Sequence, residues 1–248
     1  MAKQSGLGDR LILAGYDISG DVGSVDRIGK PSGVLDVTAI NASGFERIHS
    51  HVDGEIAFSQ FFNDAASAEH DALKAKGSGA DRVALYLHGA AIGNMAAGLV
   101  AKQVNYDWTR NADGSLTGQT QLLANAKGLD YCEQLTAGLR TDTAATNGSS
   151  LDGAAATSVG LAAYLEVTAF TGTDVTVKIQ ESSDNGGGDA FADVTGGGFT
   201  QVTAAPASER IVTSLTQAVE RYLRAVTVTT GGVTSVTFAV AATRAPHA

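Results

Sequence analysis

The sequence predicts a mainly β protein: a β-sandwich or barrel domain with one flanking helix, then a C-terminal β-sandwich domain. Three observations carry this. Short runs alternate apolar and polar residues with period two, the mark of a strand with one wet face. Glycine makes up 30 of 248 residues and gathers in polar clusters that interrupt those runs. A single stretch carries the start and stop signals of a helix.

Three compositional zones are visible. Residues 1–137 hold most of the aromatics and all but one histidine; 138–156 are small and polar; 157–248 are rich in Val, Thr and Ala. In the first zone Leu11–Ile18 and Val34–Ile40 read as strands. Ile56, Phe58 and Gln60 share one face of a run whose other face is Glu55, Ala57, Ser59 and Phe61. Asp64–Lys76 is the helix, with Asp64 as N-cap, Leu73 following Glu69 at i+4, and Gly77 as the stop. Arg82–His88 reads as a buried strand. Asn105–Arg110 and Leu116–Leu122 flank Asn111-Ala112-Asp113-Gly114-Ser115, a hairpin signal. The second zone, with Asn147-Gly148 and Asp152-Gly153, reads as a linker. In the third, Leu161–Phe170, Val175-Val177-Ile179, Tyr222–Thr230 and Val236-Phe238-Val240 read as strands between glycine-rich turns, an organisation that predicts a sandwich.

Composition narrows the function. Lys+Arg 17 against Asp+Glu 26 gives a net charge of −9, the wrong sign for gripping nucleic-acid phosphates. One cysteine, Cys132, excludes a disulfide framework and any cysteine-based metal cluster within one chain, and reads as a buried thiol. No apolar run reaches membrane-helix length, and the N-terminus lacks the apolar core of a signal peptide, so a soluble cytoplasmic product is the expectation. There is no Gly-x-Ser-x-Gly elbow and no phosphate-binding loop; Lys76-Gly77-Ser78-Gly79 has its lysine on the wrong side. His49, His51 and Asp53 would share one strand face and are a candidate metal set. Their ~7 Å steps along a strand are wide for one ion, and a solvated face is the simpler reading. Asp17, Asp21 and Asp26 lack calcium-loop spacing and read as loop and cap residues. Trp108 and Tyr106 alternate toward a packed face, as core or subunit contact. No cofactor and no catalytic residue is expected, which directs attention to surfaces.

Two segments carry a resemblance. Gly15-Tyr16-Asp17-Ile18-Ser19-Gly20-Asp21-Val22-Gly23-Ser24-Val25, Leu35–Ile40, Glu46-Arg47, Asp53–Phe58 and Phe61-Phe62 resemble the opening of major tail tube proteins of long-tailed, siphovirus-like bacteriophages. Ile179–Asp184, Phe191–Val194, Phe199-Thr200 and Glu220–Arg224 resemble the C-terminal β-domain attached to some of them. The resemblance implies hexameric rings stacked into a tube that passes DNA without binding it specifically. It implies residence in the virion tail after assembly in the host cytoplasm. It further implies tape measure, tail terminator and baseplate partners, and no membrane. A loop at 21–33 would reach the next ring through Asp21, Arg27, Ile28, Lys30 and Pro31, the flanking helix would be that of Asp64, Glu69 and Leu73, and the C-terminal domain would decorate the outside. Open alternatives are a capsid decoration or baseplate protein, a carbohydrate-binding adhesion module presenting Trp108, Tyr106 or Tyr222, and a metal enzyme built on His49, His51 and Asp53.

Overall fold

A computed structural model describes residues 5–75 and 79–246. The fold is mainly β, with a single short α-helix among the described residues. In the first half, β1 (Arg10–Leu13) turns tightly into β2 (Tyr16–Asp17). The sequence run Leu11–Ile18 is therefore broken, because Ala14 and Gly15 both take positive φ and reverse the chain. β3 (Val22–Gly29) pairs with β6 (Glu55–Phe61), which pairs with β10 (Leu116–Ala124). β9 (Asp107–Arg110) joins β10 through the expected hairpin, closed by the Asn111 N–H on the Ser115 carbonyl at 2.9 Å. β7 (Arg82–Leu87) lies between β1 and β8 (Met95–Gln103).

Three corrections concern this half. Residues 22–29, expected within a reaching loop, form strand β3, because Val22 and Ile28 turn toward the first core and the backbone pairs along β6. The element that does project is a hairpin of β4 (Ser32–Asp36) and β5 (Arg47–Val52), which pair only with each other. The helix α1 is Glu69–Leu73, far shorter than Asp64–Lys76. Asn63 Oδ1 accepts the Ala65 N–H and Ser67 takes a φ of 62°, so the chain turns at 63–67 and Ala68, without a side-chain cap bond, begins the helix. Asp64 is outside it. The expected stop, Gly77, lies outside the described residues.

The second half is a sandwich. One layer orders β18 (Ala207–Val212), β15 (Ala162–Gly172) and β20 (Val233–Thr243). The other orders β19 (Tyr222–Val228), β16 (Thr176–Ser182) and β17 (Ala192–Gly198). Val177, Ile179, Leu223 and Ala225 from one layer meet Leu165, Val167, Phe238 and Val240 from the other. The stretch 138–156, expected as a linker, carries three short strands. β12 (Arg140–Asp142) pairs with β20, while β13 (Thr146–Asn147) and β14 (Leu151–Asp152) pair with β19. Arg140 anchors it, donating to the Ala225 carbonyl at 2.9 Å and to Asp142 at 2.7 Å.

The halves are joined by hydrogen bonding as well as packing. β11 (Asp130–Gln134) pairs with β8 on one side and β20 on the other, so one sheet runs through both. Along this seam Val83, Leu85, Leu87 and Ala96 meet Tyr164, Ala239 and Ala241, with Cys132 among them. This explains why β7 is apolar at nearly every position: its two faces serve two cores.

Candidate assembly surfaces

Hydrophobic side chains that a monomer would bury are concentrated outside on the β4–β5 arm. Val34, Leu35, Val37, Ile40, Phe45, Ile48 and Val52 are all exposed, with Ile40 and Phe45 the most so near the tip. Leu35 stands opposite Ile48 and Val34 opposite His49, and among the described residues neither face of the ribbon is covered. Its base is tied by the Asp53 N–H to the Pro31 carbonyl at 2.8 Å. A lone two-stranded ribbon is marginal in water and gains order when something covers it.

Beside the arm, β3 is the last strand of the long sheet and pairs only with β6. Its outward backbone edge is open, a template for another strand. Two register shifts against β6, at Val22/Ser24 and Val25/Arg27, bend it. The sheet face leading away from this edge is polar. Register aligns Ser24, Ser59, Gln119 and Asp107 in one row and Arg27, Ala57 and Gln121 in the next. Asp26 accepts from Ser59 at 2.8 Å, and Glu55 accepts from Gln121 at 2.6 Å. Across β3, β6, β9 and β10 this face presents the carboxylates Asp26 and Asp107, while Glu55 is buried beneath it and neutralised by Arg27 at 2.9 Å.

α1 closes the end of the first core with Ala72 and Leu73. A buried chain holds its C-terminal end: Arg82 donates to Gln103 at 2.8 Å, and Gln103 donates to the Leu73 carbonyl at 2.9 Å. Phe62, His70, Tyr106 and Trp108 form an aromatic cluster against it, with Trp108 edge-to-face at 4.9 Å from Phe62 and 5.1 Å from Tyr106. The Tyr106 hydroxyl and His70 Nδ1 are 2.7 Å apart. Glu69 is fully buried, and its burial pushes the carboxyl pKa up to about 7.

The predicted site residues fall in separate places. Asp21 accepts from Asn63 at 2.8 Å and from the Glu69 N–H at 3.2 Å, tying the lead-in of β3 to α1. Arg27 and Ile28 are on β3, and Lys30 and Pro31 stand at the base of the arm. Asp17 pairs with Arg10 and Asp26 binds Ser24 and Ser59, in loop and strand roles. His49, His51 and Asp53 do not converge. His49 Nδ1 lies 3.1 Å from Ser32 Oγ, His51 Nδ1 3.2 Å from Ser50 Oγ, and Asp53 accepts the Gly54 N–H. Among the described residues no group of three potential metal ligands forms. The arm is legible only in part: Val34–Ile40 reads as a strand, but its apolar residues do not tell from sequence that they lack a core to face.

The class defined by these surfaces is a two-part β protein with an open sheet edge and an exposed apolar ribbon. No family profile and no curated protein matches the sequence. Among solved structures, the chain is similar to one from the virion of a native gene transfer agent particle. That likeness has TM-score 0.42 at 15% identity, over 52% of this chain and 98% of that one. A chain of the tube-terminating cap of the anti-feeding prophage gives TM-score 0.40 at 7% identity, over 53% and 93%. The Dit protein of phage SPP1, described as a hub of the adsorption apparatus, gives TM-score 0.33 at 12% identity, over 95% and 99%.

Proposed function

We propose that this chain is a structural protein of a long-tailed bacteriophage virion that polymerises as stacked rings, six subunits to a ring, into the tail tube. The observation that carries the reading is the pairing of an open edge strand, β3, with an uncovered apolar arm, β4–β5, on the same half of the molecule. An open edge is satisfied by a neighbour's strand in a closed ring, and a projecting ribbon by a subunit of the next ring. In this reading residues 1–137 form the tube wall and 157–248 lie outside it. Lys30 and Pro31 belong to the base of the inter-ring arm, while Asp21, Arg27 and Ile28 belong to the ring edge. The polar face of β3, β6, β9 and β10 lines the channel. Its carboxylates repel phosphates over a Debye length of about 8 Å, which favours DNA transit over DNA binding. Tape measure, terminator and baseplate partners follow from the sequence resemblance, as do the virion location and host-cytoplasm assembly. Negative-stain imaging of the concentrated protein is expected to show tubes with an axial repeat. A protein that stays monomeric or forms closed trimers under all assembly conditions overturns the proposal.

A further inference from the structure

Glu69 is the first residue of α1, and its side chain is wholly inside the protein. Four elements converge on it. The turn before β3 brings Asp21, the segment after β6 brings Asn63, β6 brings Gln60, and the approach to β9 brings Tyr106. On its own helix the neighbouring titratable groups are His70, whose ring meets Tyr106, and Asp71, paired to Lys74. The Asn63 N–H, the Tyr106 hydroxyl and the Gln60 side chain lie close enough to favour a charged Glu69. Yet neither of its carboxyl oxygens completes a hydrogen bond of full geometry. Asp21 adds a second negative charge nearby. A buried carboxylate so placed loses hydration without a cation to replace it, whereas the neutral acid fits the site.

We propose that the Glu69 carboxyl is a proton-operated latch that joins α1 to the lead-in of the open edge strand β3. When neutral it lets Asp21 hold both the Glu69 N–H and Asn63, so the start of β3, the end of β6 and α1 form one block. When ionised it pushes against Asp21 and draws toward water, which loosens that block. The sign follows from burial. The folded group keeps its proton to about 7, whereas an exposed glutamate loses it near 4.5. The latch is therefore closed on the acid side, weakens as pH rises from about 4.5 to 7, and stays weak above. Under the tube reading, this places ring-edge order under proton control; the latch itself is testable without polymerisation.

The test is hydrogen–deuterium exchange on the full, unpolymerised chain at pH 5.5 and 8.0, corrected for intrinsic exchange, for wild type and Glu69→Gln. Peptides covering 19–29 and 63–75 are expected to lose protection at least about tenfold at the higher pH in wild type. They are expected to stay protected at both in Glu69→Gln, with β16, β17 and β19, the layer of the C-terminal sandwich that lacks Glu166, unchanged throughout. Equal protection of wild type at both pH values, or the same loss in Glu69→Gln, overturns the latch. Should Glu69→Gln fail to fold, the Glu69 carboxyl carbon of wild type is titrated by NMR. A midpoint near 7 supports the latch and an ordinary one near 4.5 overturns it. Neither readout depends on tubes forming, so failure of the tube reading leaves this result standing.

Discussion

Where the halves of the chain meet, Tyr164 lies flat on β8. A Cβ on Gly98 would stand 2.5 Å from its ring, so only glycine admits the contact. The Tyr164 hydroxyl donates to Asp130 at 2.6 Å, and Arg210 reaches both, at 3.0 Å to Asp130 and 2.9 Å to Tyr164. Nearby, the Gly15 N–H donates to the buried Glu166 at 2.6 Å. The β4–β5 arm is also built of apolar β residues, yet nothing among the described residues covers it. The seam buries the partnered Asp130–Arg210 pair, whereas the arm exposes apolar groups that no described residue covers. Each inverts the usual rule of apolar inside and polar outside. Bonds within the chain thus join the two halves, while nothing among the described residues covers the arm.

The largest way to break this contrast is at the seam. Asp130→Ala removes the buried carboxylate that Arg210 and the Tyr164 hydroxyl share, and a loss of about 3–5 kcal/mol in denaturant-measured stability is expected. A loss near zero would mean the seam is held by packing alone. Next, Glu166→Ala leaves the Gly15 N–H without its acceptor, at an expected cost of about 1–3 kcal/mol, while Glu166→Gln keeps an acceptor and costs less. Burial raises the Glu166 pKa well above that of an exposed glutamate. Its stabilising effect is thus greatest at acid pH and declines as pH climbs above the usual carboxylate range. The urea midpoint of Glu166→Gln should therefore depend less on pH than that of wild type. In the arm, the double change Ile40→Asp with Phe45→Asp should leave stability within about 0.5 kcal/mol, because both side chains already face water. Polymer formation, followed by light scattering, should be abolished. The smallest effect belongs to the exposed Arg221–Asp152 pair at 2.7 Å, which holds the Asp152 pKa down to about 2. Asp152→Asn should leave both the melting temperature and polymer formation unchanged.

Much of the β architecture was legible. Val177 and Ile179, and Val236, Phe238 and Val240, alternate cleanly because each strand has one face on the sandwich core, and that period is what burial writes into a sequence. The Asp113-Gly114 turn was readable for a local reason, since Gly114 takes a φ of 92°. The helix was overextended because Ala65, Ala66 and Ala68 favour helix intrinsically, while the Asn63 turn that overrides them depends on a side-chain bond. The seam network was invisible, as Asp130, Tyr164 and Arg210 are far apart in sequence and meet only after folding. The arm was half visible. Val34, Leu35 and Ile48 look like a core, and only the fold reveals that they stay exposed among the described residues.

The most direct measurement of the central claim is a helical reconstruction of the purified protein assembled at high concentration. We expect a hollow tube of stacked rings, with β3 paired to the neighbouring subunit, the β4–β5 arm seated on the next ring, and Asp26 and Asp107 facing the channel. A polymer in which the arm stays free, or whose channel is lined by the C-terminal sandwich, would contradict the account.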